Sequence, residues 1–558
     1  MTKKLLMLLA LLFSASVSCT ADSAELEGDA QEENQDGDDN DSQEPDTSIY
    51  ADAWNAFDKD ALDNVLIDFS YAGYERGEKS VPDVESLGYK TFDITDYGAI
   101  ADDDISDRAA FEAAAAAIKS NGSGILYIPE GTFDIHNESD DSAGASTSIF
   151  VSCSNFILKG ADREKSILRM QAPMLPTDES ILYSSPVALN IKHMNTGSLV
   201  TSIDGNSVKG SSSVWVESTT GLAVDQWICL KLEDNTKELV EQRLGDHFES
   251  LYNWSNNIIS TGIQVWEYHQ IKSLASNKIT FYEPIMHEVN SQWDWGIYTY
   301  PYYEGVGIED LTFQGFAKDD FVHHASWEDD GAYKPLTMMR LVNSWMRRVN
   351  FQDVSEAASV INCANVSVYD IIIDGNVGHS AIRSQYSTRT FLGKITDRTG
   401  NGTGQFHSVG VSKPSIGAVI WRTEWGNDSC FESHATQPRA TLIDACYGAF
   451  IQSHAGGDLV QNPNHMEDLT IWNFEASNTN SWSESSPFTW WIDGGYWQFL
   501  YPIVVGFHGA DIKFDTSQML YEESTGESVY PESLYEAQLE RRLGSVPQWL
   551  QDLKAINH

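Results

Sequence analysis

Residues 92–135 read FDITDYGAIADDDISDRAAFEAAAAAIKSNGSGILYIPEGTFDI: a strand, an Asp-rich loop, an Ala-rich helix over about 108–119, a glycine turn and another strand. Alanine gives up no side-chain freedom on entering a helix, and the glycines after Asn121 stop the helix where the next strand begins. That strand runs into Pro129-Glu130-Gly131. A helix framed by short strands marks the start of a repetitive β architecture, so the question is whether such strands recur.

They recur further along at intervals of roughly 20 to 28 residues. The segments are VGIEDLTF from 306, WMRRVNF from 345, VSVYDIII from 366, TFLGKIT from 390, GAVIWRT from 417, ATLIDACY from 440 and MEDLTIWNF from 466. This is a solenoid period: no coil can bury its inner face alone, and stacking makes one continuous core. Between about 196 and 300 the period breaks. GSLVTSIDGNSVKGSSSVWV and VDQWICLKL read as antiparallel strands, 236–252 as a polar helical piece, and KITFYEPIMHEV as strand again. Its aromatics Tyr252, Trp254, Trp266, Trp293 and Trp295 suit packing and sugar stacking equally. Near the end, PESLYEAQLERRLG has Ser533 as a helix cap and stops at Gly544 before Pro547.

Tyr97-Gly98-Ala99, Asp102, Asp107, Ala110-Phe111 and the strand ILYIPEGTF together resemble the N-terminal cap of the pectate-lyase-like superfamily. The resemblance implies an all-β fold, a single-stranded right-handed parallel β-helix with an N-terminal capping helix, an inserted β-rich subdomain and a C-terminal helix. The expected division is a signal peptide over 1–19, an acidic tether over 20–50, a cap with the first coils over 51–195, the insertion over 196–300, the main β-helix over 301–515 and a helical cap over 516–558. Lyases, hydrolases, epimerases and phage tailspikes share this fold, so function needs separate evidence.

The chain begins MTKKLLMLLALLFSASVSC, two lysines and an apolar run too short to span a membrane comfortably, then small residues. Ser16-Val17-Ser18-Cys19 resembles the bacterial lipoprotein cleavage box, which implies lipidation of Cys19. Twelve Asp or Glu and no Lys or Arg follow between 20 and 47, a composition that cannot build a core. An acidic stretch in that position resembles the surface-export signal of Bacteroidota lipoproteins, so the protein is expected on the outer membrane, displayed at the cell surface, with secretion or periplasmic residence as alternatives.

With 558 residues, 41% of them hydrophobic, the chain has room for a large core. A net charge of −47 disfavours nucleic acid as a partner, and a monomer is expected. Five cysteines remain besides Cys19, an odd number without a CxxC pair, which argues against a zinc site or a full disulfide framework.

Aligning the coils on small polar residues superposes ASVINCAN, HSAIRSQYSTR, HSVGVSKPS, DSCFESHAT and FIQSHAGG. This register predicts an outer column of Asn362, Arg383, Val411, Glu432 and Gln452, and a second of Ala364, Gln385, Lys413, His434 and His454. Between them it places an inner ladder of Cys363, Ser384, Ser412, Ser433 and Ser453. Parallel strands stack about 4.8 Å apart, so neighbours in a column can interact directly. Between 379 and 454 there are seven basic and five acidic residues and four of the fourteen histidines. A locally basic face on an acidic protein suits an anionic chain.

β-Elimination on a uronate-bearing polysaccharide needs a base for the C5 proton, a group to neutralise the carboxylate and an acid for the leaving O4. His434, with an ordinary pKa near 6.5, is the expected base or proton shuttle. Lys413 and Tyr386 are its alternatives, Lys413 only if a neighbour such as Arg383 lowers its pKa. Arg383 with Gln385 or Asn362 is expected at the substrate carboxylate, Tyr386 at the leaving oxygen, and Arg389, His379, His407, Arg422, Glu432, Arg439 and His454 along the bound chain. No cofactor is required, although Glu432 leaves room for Ca2+. His323-His324 could bind a metal, but an adjacent pair alone is a weak signal. His269 and His287 lie on the insertion and could reach the cleft.

From roughly residue 90 to LYEAQLERRLGSVPQWL the chain resembles secreted β-helix proteins of polysaccharide-degrading Bacteroidota, similar to lyases of glycosaminoglycans or algal sulfated polysaccharides. The resemblance carries fold and reaction class and supplies no catalytic residue. The calcium-binding Asp clusters of pectate lyases are not evident, which points away from pectin. Two rivals stand beside a lyase. A polygalacturonase-like hydrolase would need paired carboxylates, and its NTD and RIK motifs are missing, with GHS at 378–380 only a partial echo of GHG. A non-catalytic surface glycan-binding protein would leave the basic array unexplained.

Overall fold

A strand shows alternate side chains to opposite faces and must find cover for the apolar one. The computed structural model describes residues 50–557 apart from 143, 235 and 253–255. The expected signal peptide, Cys19, the tether as far as residue 49, and Trp254 lie outside these residues. In the described part, cover comes from the next coil. A long parallel sheet runs through Thr91–Asp93, Gly124–Ile128, Phe156–Gly160, Gly307–Gln314, Trp345–Gln352, Ser367–Asp374, Phe391–Asp397, Val419–Trp421, Thr441–Asp444, Leu469–Trp472, Ile503–Val505 and Tyr521–Glu523. Ile308, Met346, Val368, Leu392, Ile420, Ile443 and Ile471 fall in register as one inward column, each at most 1% exposed. Burying one such side chain contributes about 1.5–3 kcal/mol.

A second parallel sheet stacks Ile149–Val151, Leu189–Lys192, Leu336–Met339, Glu356–Ile361, Ser380–Gln385, Gly410–Ser412 and Glu432–Ser433. A third, short one stacks Tyr447–Phe450, Glu475–Thr479 and His508–Gly509. The molecule is a right-handed parallel β-helix. Helix Arg108–Asn121 lays Phe111, Ala114, Ala115 and Ile118 over its first coils and ends at Gly122, whose φ of +88° glycine adopts without strain.

The insertion is a closed antiparallel barrel of Leu199–Gly205, Ser213–Val216, Trp227–Asp234, Ile263–Ala275, Lys278–Phe281 and Trp295–Thr299. Its helical piece is broken into Lys237–Leu244, Phe248–Tyr252 and Asn257–Thr261. Strand Ile263–Ala275 lies against the turns of the central coils. There the Tyr268 N–H donates to Thr388 Oγ1 at 3.0 Å and the Gln264 N–H to Gln437 Oε1 at 2.8 Å.

Two boundaries differ from expectation. Tyr521–Glu523 is still a strand of the long sheet, so the helical cap is confined to Leu534–Leu543 and Gln548–Lys554. The sequence YEE has no apolar alternation to reveal it. The segment from Tyr50 to about residue 80, expected with the N-terminal coils, crosses to the C-terminal end: Ala51 N–H donates to Tyr530 O at 2.7 Å, and Gln538 bridges Phe69 N–H and Ile67 O. Cys153, Cys229, Cys363, Cys430 and Cys446 are free thiols, all buried.

The outer face of the long sheet exposes Trp421 and Trp472 to these segments, and both are fully covered. Asp444 fastens the cover: its buried carboxyl accepts from Ser533 Oγ at 2.5 Å, Leu534 N–H at 2.9 Å and Tyr535 N–H at 3.0 Å. Asp444→Ala is therefore expected to lower stability by about 2–3 kcal/mol and to speed amide exchange in Leu534–Leu543. Urea unfolding and hydrogen exchange test this; unchanged exchange would mean that apolar contacts alone hold the helix.

Candidate active site

Along the second sheet the outward positions of four successive coils are Ser359, Arg383, Gly410 and Glu432, and the inward ones Val360, Ser384, Val411 and Ser433. Arg383 and Glu432 thus share a column as expected, but three of the five coils in the predicted register shift, and Lys413 passes beyond its column with Val411. A one-residue slip reverses every side chain of a strand. In the third coil Val411, 1% exposed, fills the interior and Ser412 faces outward beside Gln385, because the apolar side chain takes the core. Asn362 lies in the turn after its strand, at φ +52°, donating to Tyr268 Oη at 3.0 Å. Gln452 and His454 leave the sheet in a 3-10 turn, and it is Ala455 O that accepts from Ser433 N–H. The predicted inner ladder dissolves accordingly: Ser384 pairs with Thr390 and Ser415.

Gly410 explains how Arg383 reaches Glu432 two coils away. A Cβ at 410 would stand 2.5 Å from Glu432 Cβ, so the column carries no side chain between them. Arg383 Nη1 meets Glu432 Oε1 at 3.1 Å, and Nη2 meets Glu356 Oε1 at 3.5 Å. His379 Nδ1 faces the same Glu356 oxygen at 3.6 Å. His434 follows Glu432 on its strand; a Cβ on Gly456 would lie 3.1 Å from His434 Cδ2 and 3.2 Å from Glu432 Oε1, so bare backbone roofs both. Around this core, His407 donates from Nδ1 to His454 O at 2.7 Å, and its ring centroid is 5.1 Å from those of His379 and His323. Phe406 is sandwiched between His323 and His454, with centroids 3.7 and 4.0 Å away. Lys413, half-buried, sits at φ +58°, a conformation non-glycine residues seldom hold without reason.

Burial governs the charges. It pushes the Glu432 carboxyl up to about 7 against the pull of Arg383 and His379. Burial acts the same way on Glu356, but His379, Arg383 and Lys334 overcome it and hold that carboxyl well below the usual range. Two carboxylates beside one guanidinium are thereby driven apart. His434 is held down to about 3 by burial, then by Arg383 and His379. Lys413 is lowered by burial and by Arg383, the neighbour effect on which its use as a base depended.

The remaining predicted residues lie elsewhere. Arg389 is 2% exposed and bonds Glu267 of the barrel at 2.7 Å, and Arg439 is buried against Glu467 at 3.2 Å. Both guanidinium groups fasten the barrel to the coils, a structural use that leaves neither facing the cluster. Arg422 pairs with Glu532 and Glu536 under the C-terminal helix, on the long sheet. Tyr386 stacks on Trp266 at 4.9 Å, and burial raises its phenol. Trp266 lines a recess of about 490 Å³ with Lys231, Tyr298, Tyr300, Arg340 and Asn362. Trp295 is in the barrel core. His269 is enclosed between Glu267 and Glu283, and His287 faces Glu467, so neither reaches the cluster.

Glu356, Lys334 and Asp330 were missed. Glu356 stands two residues before the aligned window, in the position paired with Ser380, and extending the window by one strand pair would have found it. Lys334, whose Nζ donates to Tyr183 O at 3.2 Å, and Asp330, in the short helix Trp327–Gly331, come from a connection whose sequence carries no period.

A family model described as a domain of unknown function (DUF4955) matches residues 404–553. No curated protein matches. Among solved structures, the tailspike protein of Pseudomonas phage LKA1 is similar at 14% identity over 78% of this chain and 74% of its own, with a TM-score of 0.38. The A-module of a mannuronan C-5 epimerase from Azotobacter vinelandii is similar at 10% over 78% and 91%, TM-score 0.34. An exopolygalacturonase from Thermotoga maritima is similar at 10% over 82% and 94%, TM-score 0.34.

Because the Glu432 pKa rises on folding from 4.5 to about 7, its contribution to stability is complete below pH 4.5 and lost as pH rises through 7. In Glu432→Gln that loss disappears, so the variant gains on the wild type across this window. Urea midpoints of both proteins from pH 4.5 to 8 measure the difference; parallel curves would mean Glu432 is already ionised when buried.

Proposed function

We propose that the protein is a polysaccharide lyase that cleaves a uronic-acid-containing, sulfated anionic polysaccharide by β-elimination, with Lys413 as base. What carries this is a half-buried amine, lowered by burial and by Arg383, standing near a neutral imidazole on the outward face of the central coils. A lysine becomes a base near neutral pH only in such surroundings. Lys413 Nζ takes the C5 proton, the C4–O4 bond breaks as the C4=C5 double bond forms, and His434 relays the proton to the departing O4. The protein ends each turn in its starting protonation state.

Arg383, already bonded to Glu356 and Glu432, acts as a positioning residue that adds to burial in holding Lys413 and His434 uncharged, while Gln385 is left to meet the substrate carboxylate. With Glu432 protonated, Arg383 and Lys334 face Glu356 and Asp330, so the cluster carries no surplus negative charge against an anionic chain. Trp266 and Tyr298 line the neighbouring recess beside Lys231 and offer apolar ring surface to a sugar. Hydrolysis by paired carboxylates is less well supported, because Glu432 is fully buried and both carboxylates grip one guanidinium, leaving no place between them for a water and a glycosidic bond. The same proposal places the protein at the cell surface, anchored through a lipid on Cys19.

Incubation with uronate-bearing, sulfated polysaccharides is expected to give ultraviolet absorbance from the unsaturated product. Reducing ends without absorbance would mean hydrolysis, and binding with neither would mean a glycan-binding protein. Lys413→Arg keeps a long basic side chain but stays protonated and so cannot accept the C5 proton, and turnover should fall by about 10²–10⁴-fold with little change in KM; retained turnover removes Lys413 as base. Cys19→Ala is expected to move the protein from the membrane to the soluble fraction, and membrane retention would refute the anchor.

A further inference from the structure

We infer that His323, His324 and His379 form a binding site for a first-row transition-metal ion, with Zn2+ as the fitting occupant. One ring nitrogen from each lies within 4.8 Å of the others. Imidazole nitrogens around a tetrahedral zinc, with Zn–N of about 2.0–2.1 Å, stand roughly 3.4 Å apart, so loading draws the rings together by about 1 Å. The loop carrying His323 and His324 can supply that movement, since the His324 side chain is 53% exposed.

The tautomers point the same way. His324 Nδ1 faces Asp330 Oδ2 at 2.5 Å and His379 Nδ1 faces Glu356 Oε1 at 3.6 Å. A carboxylate only accepts, so Nδ1 of His324 carries the proton and its Nε2 lone pair is left for a ligand. This is the carboxylate–histidine arrangement that orients metal-binding imidazoles. Nε2 of His323 and both ring nitrogens of His379 are buried with no hydrogen-bond partner among the described residues, a costly state for polar atoms that an ion would relieve. His407 stands beside the group of three, its Nδ1 proton committed to His454 O and its ring 5.1 Å from both His323 and His379.

The loop is built to hold this arrangement. His324 is kept at φ +60° by Asp330, which also accepts its backbone N–H at 3.0 Å. Asp329 accepts from Val322 N–H and pairs with Lys318. A nitrogen donor set selects against Ca2+, which takes oxygen ligands, and favours Zn2+ and its transition-metal neighbours. Loading would tie the loop to the Ser380–Gln385 coil through His379, whatever reaction the surface beside it performs.

The test uses the full chain stripped with a chelator, then titrated with Zn2+ against a chromophoric competitor and with Co2+ followed by visible absorption. One tightly bound equivalent and the d–d bands of a low-coordinate nitrogen site are expected. His323→Ala with His324→Ala should abolish that equivalent, Asp330→Asn should weaken it by about 10–100-fold, and His193→Ala, remote from the loop, should leave it intact. Should the double variant lose its fold, His324→Gln alone decides. A wild type that takes up no ion, or an unchanged Zn2+ affinity in His324→Gln, would overturn the site.

Discussion

Inside each coil an apolar side chain has no cover except its equivalent one coil away. The column from Ile308 to Ile471 therefore fixes the coils against one another at the spacing of parallel strands, about 4.8 Å. Outward residues inherit that register without contributing to it. Arg383, Gly410 and Glu432 are brought into line by Val360, Ser384, Val411 and Ser433 on the other face of the same strands. The site is thus a by-product of core packing, refined by one absent side chain at Gly410.

Placing charge on such a face and then roofing it with loops has electrostatic consequences. A buried guanidinium needs carboxylates, and a buried carboxylate needs a proton or a cation. Arg383 has two partners where one would balance it, and burial returns the surplus as a proton on Glu432. Burial first, and then Arg383, lowers Lys413 and His434, which pair with no carboxylate among the described residues. A chain with a net charge of −47 thereby keeps a small region whose titrating groups are tuned by positive neighbours.

Much of this was legible in the sequence because a solenoid repeats its signal. Every apolar segment recognised by period is a strand of the long sheet, and helix 108–121 stands where alanine and glycine put it. The pairing of Arg383 with Glu432 was also legible, since both strands carry apolar neighbours that set the face. Serine is a poor register mark for the coils between and beyond them, because a serine can face either way while Val411 cannot. Arginines were the least legible residues. Arg389, Arg422 and Arg439 are as basic in sequence as Arg383, but their partners lie 122, 114 and 28 residues away, in elements whose docking no local pattern encodes.

The crossing of the segment after Tyr50 to the C-terminal helices changes the mechanics of the molecule. A stack of coils fixed only at its first turn would peel from that end, one coil at a time. Here Ala51 is bonded beside Tyr530, Phe69 and Ile67 are clasped by Gln538, and Ser70 by Arg542. Tension applied at Tyr50 is delivered first to the C-terminal helix and the last coils, and the two ends of the stack bear load together. The solenoid behaves as a buckled strap, whose failure under shear begins at the clasp rather than at the first coil.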